Sequence, residues 1–115
     1  MKIKAGELLN AVEVLRKLGQ DKMPLRAASW IVLLSKRLEP SYLLVIEKRN
    51  EVIKKYCEEG KNSVATEKIP DYLKEVEPML LEEVEIDATK VSSSIFESVL
   101  ISPQDLRTLD SFFEQ

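Results

Sequence analysis

The amino-acid sequence predicts an α+β, mainly α-helical fold that forms a single domain over residues 1–115. A helical pattern of apolar residues runs through residues 24–59, and a pattern with a period of two follows in residues 83–91. Only 3 glycines and 5 prolines are present, which is too few for the many tight turns of a β-sandwich. We therefore expect a long central helix, a shorter N-terminal helix, a small two-stranded sheet and a C-terminal helix.

The N-terminal segment is predicted to contain a strand and the first helix. Lysines alternate with Ile3 in residues 1–5, as in a short strand with one buried side chain. A helix with a continuous apolar face follows from Gly6, and Gly19 is expected to end it in the left-handed conformation. Few residues separate this helix from the next, so we expect the two to pack side by side with Trp30 in the layer between them.

The central helix is predicted over residues 24–59, with Pro24 in its first turn and Gly60 just beyond its end. Pro40 removes one backbone hydrogen bond inside this pattern, but the seven-residue apolar repeat continues across it. We favour one helix kinked at Pro40, with two helices joined by a turn as the alternative. The stripe beyond Pro40 is longer than the first helix can cover. It is expected either to receive a partner or to lie under residues 70–81.

The C-terminal half begins with a polar loop at residues 61–66, expected to be mobile, and a helix at residues 70–81 that Pro78 should kink or end early. Four apolar side chains of this helix are expected to face inward: Tyr72, Leu73, Val76 and Leu80. Residues 83–91 alternate in polarity as a half-buried strand does, and residues 1–5 are their expected partner.

The last part of the chain contains one ambiguous segment and one clear helix. Residues 92–100 fit either a short helix capped by Ser92 or a further strand. The final helix is better defined, because Ser102 is a favourable cap and Pro103 suits the first helical position. The apolar residues of this ending are Leu106, Leu109, Phe112 and Phe113.

Four segments also carry a resemblance when taken in their order along the chain: GELLNAVEVLRKL, MPLRAASWIVLLSKRLE, LLEEVEID and ISPQDLRTLD. This order resembles a family of short, uncharacterised phage and prophage proteins. The resemblance covers nearly the whole chain and rests on structural features, namely helix stripes, a strand and a cap. It implies a phage origin, with the cytoplasm of the bacterial host or the virion as the location. It implies no activity, because the family has none assigned.

Charge is distributed unevenly along the chain, whose net charge is −3. Residues 1–61 carry 13 Lys and Arg against 8 Asp and Glu, whereas residues 62–115 carry 4 against 12. Such asymmetry can hold two halves of one fold together, or present a basic and an acidic face to partners. We favour the first interpretation. The single cysteine, Cys57, excludes an internal disulfide and fits a reducing cytoplasm. No secretory signal or transmembrane run is recognisable.

Catalysis is not predicted. The sequence has no histidine, which removes the commonest general base near neutral pH. Cys57 lies beside two glutamates near the end of a helix, which is an unfavourable setting for a nucleophile. No glycine-rich loop is present to hold phosphates. We therefore predict a non-enzymatic protein without a catalytic residue, metal or cofactor.

Eight residues are the candidate partner-binding residues, taken from the stripe beyond Pro40, its basic flank and the acidic face of the second strand. They are Val45, Lys48, Arg49, Val52, Tyr56, Glu83, Glu85 and Asp87. The three carboxylates are interpreted first as the solvated face of a strand, then as a partner-binding ridge, and last as a Mg²⁺ or Ca²⁺ site.

The predicted function is protein–protein interaction, by a small intracellular effector or inhibitor that engages a host or defence factor. One alternative is a virion or assembly component of a head or tail, which includes the formation of a homo-oligomer. Another is a DNA mimic or a nucleic-acid-associated protein. Direct nucleic-acid binding is disfavoured, because glutamates interrupt the basic band of the long helix and the isoelectric point is about 5.1. No membrane partner is predicted.

Overall fold

The computed structural model describes residues 1–57 and 63–114 and has the predicted α+β, mainly helical architecture. Helices and strands follow in the order β1 (Lys2–Lys4), α1 (Ala5–Leu18), α2 (Leu25–Tyr56), α3 (Ile69–Leu81), β2 (Glu83–Glu85) and α4 (Pro103–Thr108). Short 3-10 turns lie at Thr66–Lys68, Ser93–Phe96 and Asp110–Phe112. Among the helices of the described residues, none is both long and apolar enough to cross a membrane.

Helix α2 sets the length of the molecule. Its 32 residues span about 48 Å at about 1.5 Å per residue, and the longest dimension of the fold is 48 Å. The helix continues through Pro40, so the prediction of one helix is confirmed, while the kink stays a prediction. Pro24 lies at the cap position, one residue before the helix.

The C-terminal end of α2 comes earlier than predicted. The helix ends at Tyr56 because Cys57 is extended and pairs with Val64 in an isolated antiparallel bridge. The remainder of the predicted helix end and the first part of the predicted loop, residues 58–62, lie outside the described residues. The described end of that loop is packed rather than free, since Ala65 is buried.

Helix α1 packs against the N-terminal half of α2, as the short connection between them predicts. Its buried face contains Ala5, Leu8, Ala11, Val12, Val14, Leu15 and Leu18. The buried side chains of α2 recur at three- and four-residue intervals: Ala27, Ile31, Leu34 and Leu38. These two faces form the centre of the core cluster.

The end of α1 differs from the prediction. Gly19 has a φ angle of −65°, so the predicted left-handed stop is wrong. The chain leaves the helix through two tight turns: the Gln20 N–H donates to the Lys17 carbonyl at 3.3 Å, and the Asp21 N–H donates to the Leu18 carbonyl at 3.0 Å. These shorter-range bonds tighten the last turn and end the helix without a positive φ.

Trp30 packs on the C-terminal part of the chain. Its ring stacks on Phe113 at a centroid distance of 5.5 Å and meets Phe96 edge to face at 5.4 Å. The short connection between the helices predicts Trp30 in the layer between α1 and α2. One residue before the buried Ile31 is about 100° around the helix axis, so Trp30 lies to the side of that layer. This side of α2 is where the C-terminal aromatic rings dock.

The two strands form the predicted antiparallel sheet, with the register Lys2↔Glu85, Ile3↔Val84 and Lys4↔Glu83. Strand β2 is shorter than the predicted strand at residues 83–91, because β1 offers only three residues to pair with. One further hydrogen bond extends the pairing, from the Ile86 N–H to the Met1 carbonyl at 2.8 Å. Further along, the Val91 N–H donates instead to the Phe112 carbonyl at 3.0 Å.

Helix α3 runs through Pro78, so the expectation that this proline ends the helix early is wrong. Of the four side chains expected to face inward, Val76 is buried and Tyr72 and Leu80 are half-buried. Leu73 is 42% exposed, which corrects its predicted position. It lies about 60° from Val76 around the helix axis, at the rim of the buried face.

The C-terminal caps follow the prediction. Ser92 caps a short 3-10 turn at Ser93–Phe96. Of the two alternatives for residues 92–100, the short capped helix is therefore the one observed, as a single turn. At α4 the Ser102 hydroxyl accepts a hydrogen bond from the Asp105 N–H at 3.1 Å. The Asp105 carboxylate forms an ion pair with Lys17 of α1, with Oδ2 of Asp105 at 2.6 Å from Nζ of Lys17. This ion pair connects α4 to α1.

We expect Trp30→Ala to lower the free energy of unfolding by about 3 kcal/mol, because it removes the ring on which Phe96 and Phe113 pack. Chemical denaturation measures this loss. Trp30→Phe is the matched control, since it retains an aromatic ring, and it should lose much less. An alanine variant as stable as the parent would contradict the packing described.

The ion pair of Asp105 predicts a pH dependence of stability. The Lys17 ammonium, followed by the Ser102 hydroxyl, lowers the pKa of the Asp105 carboxyl. Because the pKa is lower in the folded state, the ionised carboxylate stabilises the fold at pH values above the unfolded-state pKa of about 3.9. This contribution to stability is lost as the pH falls through the folded-state pKa. Asp105→Asn should therefore melt below the parent at pH 7, and the difference in Tm should shrink below pH 4 or so.

Thermal melts of the parent and Asp105→Asn between neutral and strongly acidic pH measure this effect. Asp110→Asn provides the control, because Asp110 is exposed. A difference in Tm for Asp105→Asn that stays constant at all pH values would show that the carboxylate charge does not stabilise the fold.

Candidate protein-binding groove

A groove lies where the middle of α2 meets β2 and the end of α3. Its volume is about 290 Å³. Helix α2 contributes Ser41, Leu44, Val45 and Lys48, and the other lining residues are Ala5, Met79, Glu82, Glu83, Val84 and Glu85. We call this surface the α2–β2 groove. Its floor is apolar, and its rim carries charged side chains.

Backbone and side-chain contacts hold β2 against α2 and against the N-terminal segment at this place. The Ser41 hydroxyl donates to the Glu85 carbonyl at 3.4 Å. The N-terminal ammonium of Met1 forms an ion pair with the Glu85 carboxylate at 3.1 Å and donates to the Ile86 carbonyl at 3.2 Å. The Ala5 N–H donates to the Glu82 carbonyl at 2.9 Å. The groove is therefore built on hydrogen-bonded backbone rather than on a free loop.

The rim of the groove carries more negative than positive charge. Three carboxylates, Glu82, Glu83 and Glu85, face one ammonium group, that of Lys48. Glu85 is paired with the N-terminus. Among the described side chains, neither Glu82 nor Glu83 has a cationic group within 4.0 Å. Lys4 stands opposite Glu83 in the sheet without an ion pair between the two side chains. A basic group of a ligand would therefore meet two carboxylates that have no ion-pair partner among the described residues.

The structure brings together four of the eight candidate residues. The α2–β2 groove is lined by Val45, Lys48, Glu83 and Glu85, which the sequence pattern assigns to two separate surfaces. Asp87 is exposed and lies two residues beyond β2. The remaining three, Arg49, Val52 and Tyr56, are half-buried on the C-terminal half of α2.

Helix α3 folds back over that half of α2. Val45 is only 7% exposed, which corrects the expectation that the stripe beyond Pro40 is free for a partner at this residue. Lys55 of α2 and Glu75 of α3 form an ion pair at 3.0 Å. The Tyr56 hydroxyl and then Lys55 lower the pKa of Glu75. The alternative in which residues 70–81 cover the stripe is therefore the one that the fold adopts.

A second surface was missed by the sequence analysis. Leu25 is 82% exposed, Val32 54% and Leu43 55%, and all three belong to α2. The signal was present in the sequence, because α2 carries large apolar residues on more than one side. A helix that is apolar all round is usually buried all round, and these residues are not.

No metal centre is assigned. In residues 1–57 and 63–114, no group of three or more Cys, Asp or Glu side chains lies close enough to hold a metal ion. Cys57 is a free, half-buried thiol.

Comparison with known proteins finds no match to a family model, to a curated protein or to a solved structure. The resemblance to phage proteins accordingly stays a prediction.

The burial of Val45 predicts that a charge at this residue destabilises the fold, whereas a charge at the neighbouring exposed residue does not. Val45→Glu should lower the free energy of unfolding by about 3 kcal/mol or more, because it places a charge without a partner under α3. Leu44→Glu is the matched control: Leu44 is 61% exposed, and its substitution should change stability by about 0.5 kcal/mol or less. Urea denaturation measures both. Equal stability of the two variants would mean that Val45 is not covered.

Proposed function

We propose that the chain acts by binding another protein, and that the α2–β2 groove is the binding surface. The observation that carries the proposal is the convergence of an apolar floor and an acidic rim in one preformed groove of about 290 Å³. Ligand sites commonly combine an apolar cavity with a few polar groups that fix orientation. The action proposed is non-enzymatic, and the lack of histidine in the sequence supports this part.

The chemistry of the groove selects one kind of occupant. Leu44, Met79 and Val84 offer contacts to an apolar side chain. The unpaired carboxylates of Glu82 and Glu83 favour a neighbouring lysine or arginine, and Lys48 favours a carboxylate at the other side. The proposed partner therefore presents a segment in which a large apolar residue stands next to a basic one.

Within this proposal, an effector that engages a host or defence factor remains our first choice and an assembly component the second. The groove supports this order, because it is a small concave surface suited to a short segment of a partner rather than to ring packing. Light scattering of the complex separates the two classes: an effector forms a small closed complex, whereas an assembly component forms a larger ring.

A displayed library of random peptides tests the proposed specificity. Selection against the folded protein should enrich peptides with Lys or Arg next to a large apolar residue. Calorimetry then measures the affinity of a selected peptide for variants of the groove. Leu44→Ser, and separately Glu82→Gln combined with Glu83→Gln, should each weaken binding by about tenfold or more, because each removes one of the two kinds of contact.

Leu100→Ser is the matched control for the apolar contact, since Leu100 is 98% exposed and lies outside the groove. Glu97→Gln controls for the loss of a carboxylate at another exposed position. Both should bind the selected peptide as the parent does. A selection without enrichment, or selected peptides that bind the groove variants as tightly as the parent, would refute the proposal.

A further inference from the structure

The outward side of α2 carries a straight line of exposed residues. Leu25, Val32, Lys36 and Leu43 lie within about 40° of one another around the helix axis, and all are exposed. They lie on the side of α2 opposite the buried line that contains Ile31. Lys36 and Leu43 also border a crevice of about 280 Å³ between α1 and α2. We call this surface the outer face. It is separate from the α2–β2 groove, since none of its four residues lines that groove.

The outer face exposes three large apolar side chains. Single exposed apolar residues are normal, but Leu25, Val32 and Leu43 are each more than half exposed along one line. A shallow depression of about 370 Å³ runs along its N-terminal half, lined by Leu25, Ala28, Ser29, Val32, Leu33 and Lys36. Exposed apolar residues grouped in this way are typical of an interaction surface.

We propose that the outer face binds the outer face of a second copy of this chain, with the two α2 helices antiparallel. A two-fold axis that passes between residues 37 and 38 places Val32 opposite Leu43 of the second copy, and Leu43 opposite its Val32. The same axis places Lys36 opposite Glu39, and Glu39 opposite Lys36. Glu39 is exposed on the same side of the helix.

This register satisfies the demand of a symmetric interface, in which one surface must complement itself. Both central contacts are between opposite charges, and both flanking contacts are between apolar side chains. A parallel pairing in register would instead bring each Lys36 against the other Lys36, which is unfavourable. Charge complementarity therefore favours a second copy over an unrelated helix and fixes the antiparallel direction.

The contact closes at two copies, because a two-fold contact uses the same surface on both partners. It leaves the α2–β2 groove open in both copies, so the dimer presents two grooves. This register places Leu25 opposite Asn50, so the apolar and charged contacts run from Val32 to Leu43, over about 17 Å of one helix face. This is a small interface, and we expect a dissociation constant on the order of 10 µM.

Sedimentation equilibrium of the full chain over a range of concentrations tests the dimer. The parent, of 13.2 kDa, should approach twice this mass at about 200 µM. Val32→Glu and Leu43→Glu should each weaken association by at least about tenfold. Both residues are exposed, so the melting temperature measured at low concentration should stay close to that of the parent. A parent that is monomeric at the highest concentration overturns the proposal, as does a dimer that neither variant weakens.

Charge exchange tests the register. Lys36→Glu and Glu39→Lys should each weaken the dimer about tenfold, because each creates two like-charge contacts across the axis. The double variant Lys36→Glu/Glu39→Lys restores both pairs and should return to within about threefold of the parent. A double variant as weak as the single ones overturns the antiparallel register. Binding of the selected peptide to the groove should be the same in all these variants, so failure of the dimer and failure of the proposed function are told apart.

Discussion

Burial of the apolar stripe of α2 is the constraint on which the rest of the fold depends. The stripe extends along a helix of about 48 Å, which is longer than any other helix of the described residues can cover. Helix α1 covers the N-terminal half, where Ala27, Ile31, Leu34 and Leu38 are each at most 4% exposed. Helix α3 returns over the C-terminal half, and Val45 is 7% exposed where α2 meets α3 and β2. Either helix alone would leave part of the stripe exposed. Each Å² of apolar surface that stays in water forgoes about 25 cal/mol of stabilisation, so both helices are needed.

The α2–β2 groove is a consequence of this arrangement. Since α3 runs back along α2, the strand that follows it, β2, lies beside the middle of α2. There β2 pairs with β1. Two three-residue strands cannot cover the helix completely. The uncovered space between Leu44, Met79 and the backbone of β2 is the groove. Its acidic rim arises because the residues of β2 that point away from the core are glutamates.

Part of the uneven charge of the sequence forms ion pairs inside the molecule. Each ion pair found among the described residues joins a cation of the first half to a carboxylate of the second: Met1 with Glu85, Lys17 with Asp105, and Lys55 with Glu75. Lys2 and Lys4 of β1 also stand opposite Glu85 and Glu83 of β2. Each exposed pair contributes little by itself, but together they favour this way of docking the two halves. This supports the interpretation of the asymmetry as intramolecular complementarity.

The sequence by itself determined the types and order of the elements. Local signals suffice for this: the apolar repeat across Pro40, the alternation around Val84, and the cap formed by Ser102. It also determined that β1 and β2 pair, because each strand needs a partner. Where an element ended, local signals were weaker. Helix α2 ends before Cys57 because Cys57 pairs with Val64. Neither segment contains a sequence pattern that predicts this pairing.

Only the tertiary structure decided which apolar surfaces are covered. Val45 and Val52 lie on the same stripe of α2, seven residues apart, yet Val45 is buried and Val52 is half-buried. The difference depends on where α3 docks, and that is set by the sum of many long-range contacts rather than by either residue. The same reason explains why Trp30 lies against Phe96 and Phe113. It also explains how Lys48 and Glu83, 35 positions apart in the sequence, came to line one groove.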